Sequence, residues 1–150
     1  MSMVEIFLPD EAATARLAQR LAPQLKPGDV IALHGGLGAG KTTFARALIS
    51  ALNRAETDVP SPTYTLVQTY DTPGLTVFHF DLYRLEDPEE VMELGWDETM
   101  DGLALIEWPD KAGSHLPQWR LDLTLKQTVD GRTARLEARG EDWQSRLHGI

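Results

Sequence analysis

Residues 35–42 read Gly35-Gly36-Leu37-Gly38-Ala39-Gly40-Lys41-Thr42, which satisfies the pattern G-x-x-x-x-G-K-[S/T] at every position. The spacing has a physical reason. Glycines let the backbone curl so that successive N–H groups face inward as an anion cradle. A helix opening at the end of the loop adds the positive end of its dipole. In that arrangement Lys41 supplies a compact cation for the β and γ phosphates of a nucleotide, and the Thr42 hydroxyl is a ligand for Mg²⁺. The string has meaning only after a strand and before a helix. Val30-Ile31-Ala32-Leu33 precedes it as a short apolar run, and Phe44-Ala45-Arg46-Ala47-Leu48-Ile49 follows with helical spacing. Both conditions are met, which leaves little room for the plainer reading of a glycine-rich turn with an incidental Lys-Thr. The nucleotide-binding candidates are therefore Gly36, Leu37, Gly38, Ala39, Gly40, Lys41, Thr42 and the adjoining Thr43.

The rest of the chain reads as strands mixed with helices. Residues 3–8 form a short strand, Asp10 caps a helix that Pro23 ends or kinks, and residues 42–52 form the helix after the loop. Strands are expected at 63–70, 75–80 and 103–106, with a helix at 88–94 capped by Asp87. Residues 120–126 and 132–138 alternate apolar and polar around Val129-Asp130-Gly131, a hairpin signal, and 141–148 reads as a final short helix. With 150 residues, no internal repeat and no Gly/Ser linker, one domain is expected. The expected fold is α/β, a single P-loop NTPase-like domain over residues 1–150. Its sheet is mostly parallel, flanked by helices, with an antiparallel edge at the C-terminal hairpin.

A phosphate loop of this kind needs a carboxylate near the metal, usually at the end of a buried strand. Val77-Phe78-His79-Phe80 ends in Asp81, and Leu103-Ala104-Leu105-Ile106 ends in Glu107. Ligands of open α/β sheets bind outside the carboxyl ends of strands, so both acids qualify. The alternative for each is an acid that starts a loop or caps a helix. Spacing does not separate the direct metal ligand from the acid that orients water. His79, among apolar residues on a strand, reads as a packed histidine. Trp108 divides evenly between stacking on the nucleotide or a partner and packing in a loop. Arg84 is assigned first to a local ion pair with Glu86 or Asp87.

Ser61-Pro62-Thr63-Tyr64-Thr65-Leu66-Val67 lies between the loop helix and Asp81. In nucleotide switches this interval often carries a hydroxyl that senses the γ-phosphate, and Thr63 and Thr65 are the candidates. A strand whose threonines merely favour β structure is the competing reading. Taken in order, residues 35–42, this segment, His79-Phe80-Asp81-Leu82-Tyr83-Arg84-Leu85 and Glu107-Trp108-Pro109 resemble the TsaE (YjeE) family, covering residues 8 to about 109. Gly131-Arg132 in the tail is similar too, though less specific. TsaE proteins are small bacterial P-loop ATPases required for threonylcarbamoyladenosine formation in tRNA. The resemblance implies ATP as substrate, Mg²⁺ as cofactor, and association with the TsaB–TsaD pair, whose transferase activity it would support between rounds. It implies Thr42 and Glu107 as Mg²⁺ ligands, Asp81 as a second acid needed for hydrolysis beside Lys41, and Thr63 to Thr65 as the switch segment. It also places Glu11 and Arg132 at the base pocket.

Composition agrees with an indirect role toward tRNA. The chain carries 14 basic residues against 23 acidic ones, a net charge of −9, and no basic run. Tight grip on a nucleic-acid backbone needs clustered Lys and Arg. No apolar run reaches the roughly 18 residues of a membrane helix, the N-terminus lacks a secretory pattern, and there is no cysteine. A cytoplasmic location is expected. The absence of an N-K-x-D string favours ATP over GTP. Besides an accessory ATPase of low intrinsic rate, two readings stay open: a small-molecule P-loop kinase, and a nucleotide-dependent binding module that does not hydrolyse. The kinase reading lacks an arginine-bearing lid, since the interval 65–107 holds only Arg84.

Overall fold

A computed structural model describes residues 3–53 and 66–150. Thr63 and Thr65 lie outside the described residues. The described chain runs β1 (Met3–Leu8), α1 (Glu11–Leu21), β2 (Val30–His34), α2 (Lys41–Asn53), β3 (Val67–Thr72), β4 (Leu75–Asp81), β5 (Leu103–Glu107), β6 (Arg120–Thr128), β7 (Gly131–Arg139) and α3 (Glu141–Leu147). Short 3-10 helices at Pro88–Leu94, Trp96–Asp101 and Pro109–His115 fill the intervals on either side of β5.

The strands form one seven-stranded sheet in the order β1-β7-β6-β2-β5-β4-β3. Its four central strands, β6, β2, β5 and β4, pair parallel. The outer pairings are antiparallel. The C-terminal hairpin is present, but it is not the edge: β1 pairs outside β7 over its full length. Nothing local in residues 3–8 announces a partner more than a hundred residues away. β3 also ends later than its composition predicts, because a two-residue Pro73-Gly74 turn, with Gly74 at φ 79°, lets Asp71 and Thr72 stay in the ladder; the expected strand residues 63–65 lie outside the described residues.

Parallel strands covered on both faces read as apolar runs, and every residue of β5 is buried. On one face Ile31, Leu33, Leu105, Leu123 and Leu136 pack with Leu17 and Leu21 of α1, Phe44 and Leu48 of α2, and Trp143 of α3. On the other face Phe80, Ile106 and Ala104 pack with Leu85, Val91, Trp96 and Ala112 from the loop and 3-10 segments. Asp10 caps α1 through a 2.9 Å bond from the Ala13 amide, and Asp87 with Glu90 makes a capping box on Pro88–Leu94. None of the helices among the described residues is long and apolar enough to cross a membrane.

This layout sets the site. Because β2, β4 and β5 are parallel, their carboxyl ends meet at one edge of the sheet. Leu33 is opposite Glu107, and Glu107 is opposite Asp81. The β6–β7 turn reaches the same edge and delivers Arg132.

Candidate functional site

The loop leaving β2 is shaped by close backbone approaches. A Cβ on Gly35, at φ 144°, would stand 2.6 Å from the Leu125 carbonyl oxygen, so glycine is required there. Gly40, at φ 102°, lies against the Arg132 side chain. α2 starts at Lys41, and its first amides have no intrahelical acceptor, which makes them donors for an anion.

Lys41 is 6% exposed. Its ammonium donates to the carbonyls of Gly35 (2.5 Å) and Gly36 (3.1 Å) and sits 3.7 Å from the centre of the Trp108 ring. Burial lowers its pKa from the usual lysine value, while Glu107 and Asp81 oppose that shift. A desolvated cation next to two acids is poised to gain from an incoming polyphosphate. Trp108 reaches this place in a left-handed conformation, φ 58° and ψ 53°. Such a backbone costs roughly 1–3 kcal/mol in a non-glycine residue. The same turn sets its ring 4.9 Å from that of Tyr83.

The two acids differ in their partners. Glu107 is buried and accepts from the Thr42 hydroxyl at 3.1 and 3.2 Å and from His79 Nε2 at 2.6 Å. Asp81 Oδ1 accepts the Tyr83 amide at 3.1 Å. The oxygens of Thr42, Glu107 and Asp81 are the donor type that Mg²⁺ takes. That ion is commonly held by one or two carboxylates, waters and substrate phosphates and does not need a complete protein cage. Among the described residues no group of three or more His, Asp or Glu is disposed to hold a metal ion by itself.

Gly36, Leu37, Gly38, Ala39, Gly40, Lys41, Thr42, Thr43, Asp81, Glu107, Trp108 and Arg132 line one cavity of about 310 Å³. Glu11 does not line it. It is the first residue of α1 and exposed, beside a second hollow formed by Leu8, Asp10, Gln127, Val129 and Arg132. Arg132 belongs to both hollows and so joins them. Arg84 is exposed and lines neither. A larger recess, about 720 Å³, lies at the opposite end of the sheet between Asp29, Trp119 and α3. Most of its charges are spent on one another, Arg146 on Asp29 and Asp142 and Lys26 on Asp142, so the converging chemistry is at the smaller cavity. His79 is the residue that sequence reasoning undervalued. It is fully buried, as a packed histidine would be, yet it bonds Glu107. The signal was its position two before Asp81, which puts both side chains on one face of β4.

Residues 8–135 match the family described as "Threonylcarbamoyl adenosine biosynthesis protein TsaE". Proteins named "tRNA threonylcarbamoyladenosine biosynthesis protein TsaE" are similar along most of the chain. The Rickettsia felis protein is 48% identical over 106 residues, 70% of this chain, and the chain spans 62% of that relative's length. The Rickettsia bellii protein is 41% identical over 85% of this chain and 90% of its own length. The Bacillus subtilis protein is 40% identical over 78% of this chain and 73% of its own. Among solved structures, Bacillus subtilis YdiB superposes with a TM-score of 0.83 at 30% identity, covering 98% of this chain and 93% of that one.

Proposed function

The chain belongs to the TsaE family, and from that premise we propose that it is an ATPase of low intrinsic rate that serves tRNA threonylcarbamoyladenosine formation in the cytoplasm. The observation that carries the reading is the convergence of Lys41, Thr42, Asp81 and Glu107 on the P-loop cavity. In this reading residues 1–150 act as one nucleotide-binding unit. The loop amides and Lys41 hold the β and γ phosphates of ATP. Thr42 and Glu107 hold Mg²⁺, which when bound neutralises charge on the phosphate oxygens. Asp81, next to Glu107 in the sheet register, orients the attacking water. Arg132 and Glu11 lie toward the base, and Thr63 and Thr65 sense the γ-phosphate.

The slow rate rests on a part not found among the described residues. An arginine placed on the γ-phosphate is worth about 10³–10⁵ in rate. Arg84 does not line the cavity, and Arg132 lies against Gly40 at the helix start. A partner completes the site, and the partner is the TsaB–TsaD transferase pair. An acidic chain leaves tRNA contact to that pair.

ATP consumption by the chain alone, with candidate small-molecule acceptors, and with TsaB–TsaD plus tRNA tests this. Slow hydrolysis alone and marked stimulation by the complex are expected. Phosphoryl transfer to an acceptor would establish a kinase instead, and equal rates with and without the complex would overturn the accessory role.

A further inference from the structure

A short contact at the site that the proposed chemistry leaves unused is the buried pair His79–Glu107. His79 is on the α2 side of the sheet, the side on which Val77 and Leu105 meet Phe44 and Leu48. No part of the imidazole reaches solvent. Its Nε2 lies 2.6 Å from Glu107 Oε2, and its Nδ1 has no hydrogen-bond partner among the described residues. A phenylalanine or leucine would fill such a position without burying an unpaired nitrogen. Among the described residues, the carboxylate is the one hydrogen-bond partner the polar ring meets.

Against a carboxylate, which accepts, Nε2 carries a proton and donates it.

The two donors to Glu107 are unequal. The Thr42 hydroxyl is shared between both oxygens at 3.1 and 3.2 Å, lies on the cavity wall, and is itself a candidate ligand. The His79 donor is enclosed, short, and directed at Oε2 alone. Whatever occupies the cavity, Thr42 can turn away and His79 cannot.

We propose that His79 is a positioning residue that anchors Oε2 of Glu107 and so presents Oε1, beside the Thr42 hydroxyl, to the metal of a bound Mg·ATP. This rests on the reading of the cavity as an ATP and Mg²⁺ site. Histidine–carboxylate pairs usually act with the imidazole on the metal. Here the order is reversed, with the carboxylate at the cavity and the imidazole behind it. Partners behind a ligand are worth on the order of 10–100-fold in metal affinity or activity.

Two measurements test it. Long-range ¹H–¹⁵N spectra of the labelled full chain without nucleotide should show His79 protonated on Nε2, with the Nε2 proton moving upfield in Glu107→Gln. An Nδ1–H tautomer would overturn the proposal, and this result does not depend on any His79 variant folding. Calorimetric ATP binding should then be followed as Mg²⁺ is titrated. His79→Phe should need about 10–100-fold more Mg²⁺ for the same gain in ATP affinity, while its binding of ATP in EDTA stays at the unmodified level and reports an intact P-loop. His79→Gln, which restores an N–H near the Nε2 position, should recover most of the Mg²⁺ response. A His79→Phe chain with unmodified Mg²⁺ response, beside a Glu107→Gln chain that has lost it, would overturn the role of His79. If Glu107→Gln also keeps its response, the Mg²⁺ assignment itself falls.

Discussion

Glu107 and Asp122 are both buried carboxylates on parallel strands, and each meets a histidine, yet the protein treats them differently. Asp122 lies on β6 with His34 Nε2 at 2.9 Å, Arg120 Nε at 2.8 Å and Arg139 Nε at 2.8 Å. Arg120 and Arg139 face each other across the β6–β7 ladder. Like charges directly opposite are destabilising, and Asp122 bonds both. Burial pushes its pKa up, but the bonds from His34, Arg120 and Arg139 outweigh burial and hold it well below the usual carboxylate range. Glu107, by contrast, accepts from a hydroxyl and an imidazole, with Lys41 held on the Gly35 and Gly36 carbonyls instead of on it. One acid has its countercharge built in. The other is bonded by no Lys or Arg among the described residues; Lys41 is near it but held on backbone carbonyls, and the acid lines the cavity. Two buried acids of similar exposure can thus be sorted into framework and site by asking whether arginines bond them.

Replacing each acid by its amide breaks the comparison where it should differ most. Glu107→Gln should lower ATP turnover by about 10²–10³, the scale of losing one preorganised electrostatic group, while thermal unfolding shifts by no more than ~1 kcal/mol because the amide oxygen still accepts from Thr42 and His79. Asp122→Asn should do the reverse. Arg120 loses its bonded carboxylate and Arg139 keeps only Glu137, stability should fall by about 2–3 kcal/mol, and turnover per folded molecule should be unchanged. The acid limb sharpens the point. A carboxyl whose folded pKa is depressed stabilises the fold above its unfolded value of about 3.9 and loses that contribution as pH falls through the folded value. Denaturant unfolding at stepped pH should therefore show stability dropping below about pH 4, with a shallower drop in Asp122→Asn. His34→Gln should cost the least, about 1 kcal/mol, because both arginines stay on Asp122.

The contrast also shows how much of the protein its sequence displays. Residues 35–42, the strand ends at Asp81 and Glu107, and the 120–139 hairpin are written in local patterns: a loop string, an apolar run with an acid after it, alternation around a turn. The structure brings Lys41, Thr42, Asp81 and Glu107 to one cavity through the parallel register of β2, β5 and β4. What local pattern did not display depends on partners distant in sequence. β1 closes the sheet beyond β7, Asp122 collects His34 and two arginines from three strands, and His79 finds Glu107 across 28 positions. Each is a pairing between elements that alternation can identify singly but cannot match. Glu11 opens α1 where a helix is expected, and its side chain is exposed.

All of this stands on Lys41 as the cation that receives a nucleotide's phosphates. Isothermal titration of ATP with Mg²⁺ into the unmodified chain and into Lys41→Ala measures that directly. Loss of one charge-assisted contact to phosphate predicts affinity lower by about 10–100-fold. Equal affinity in the two proteins would contradict the account.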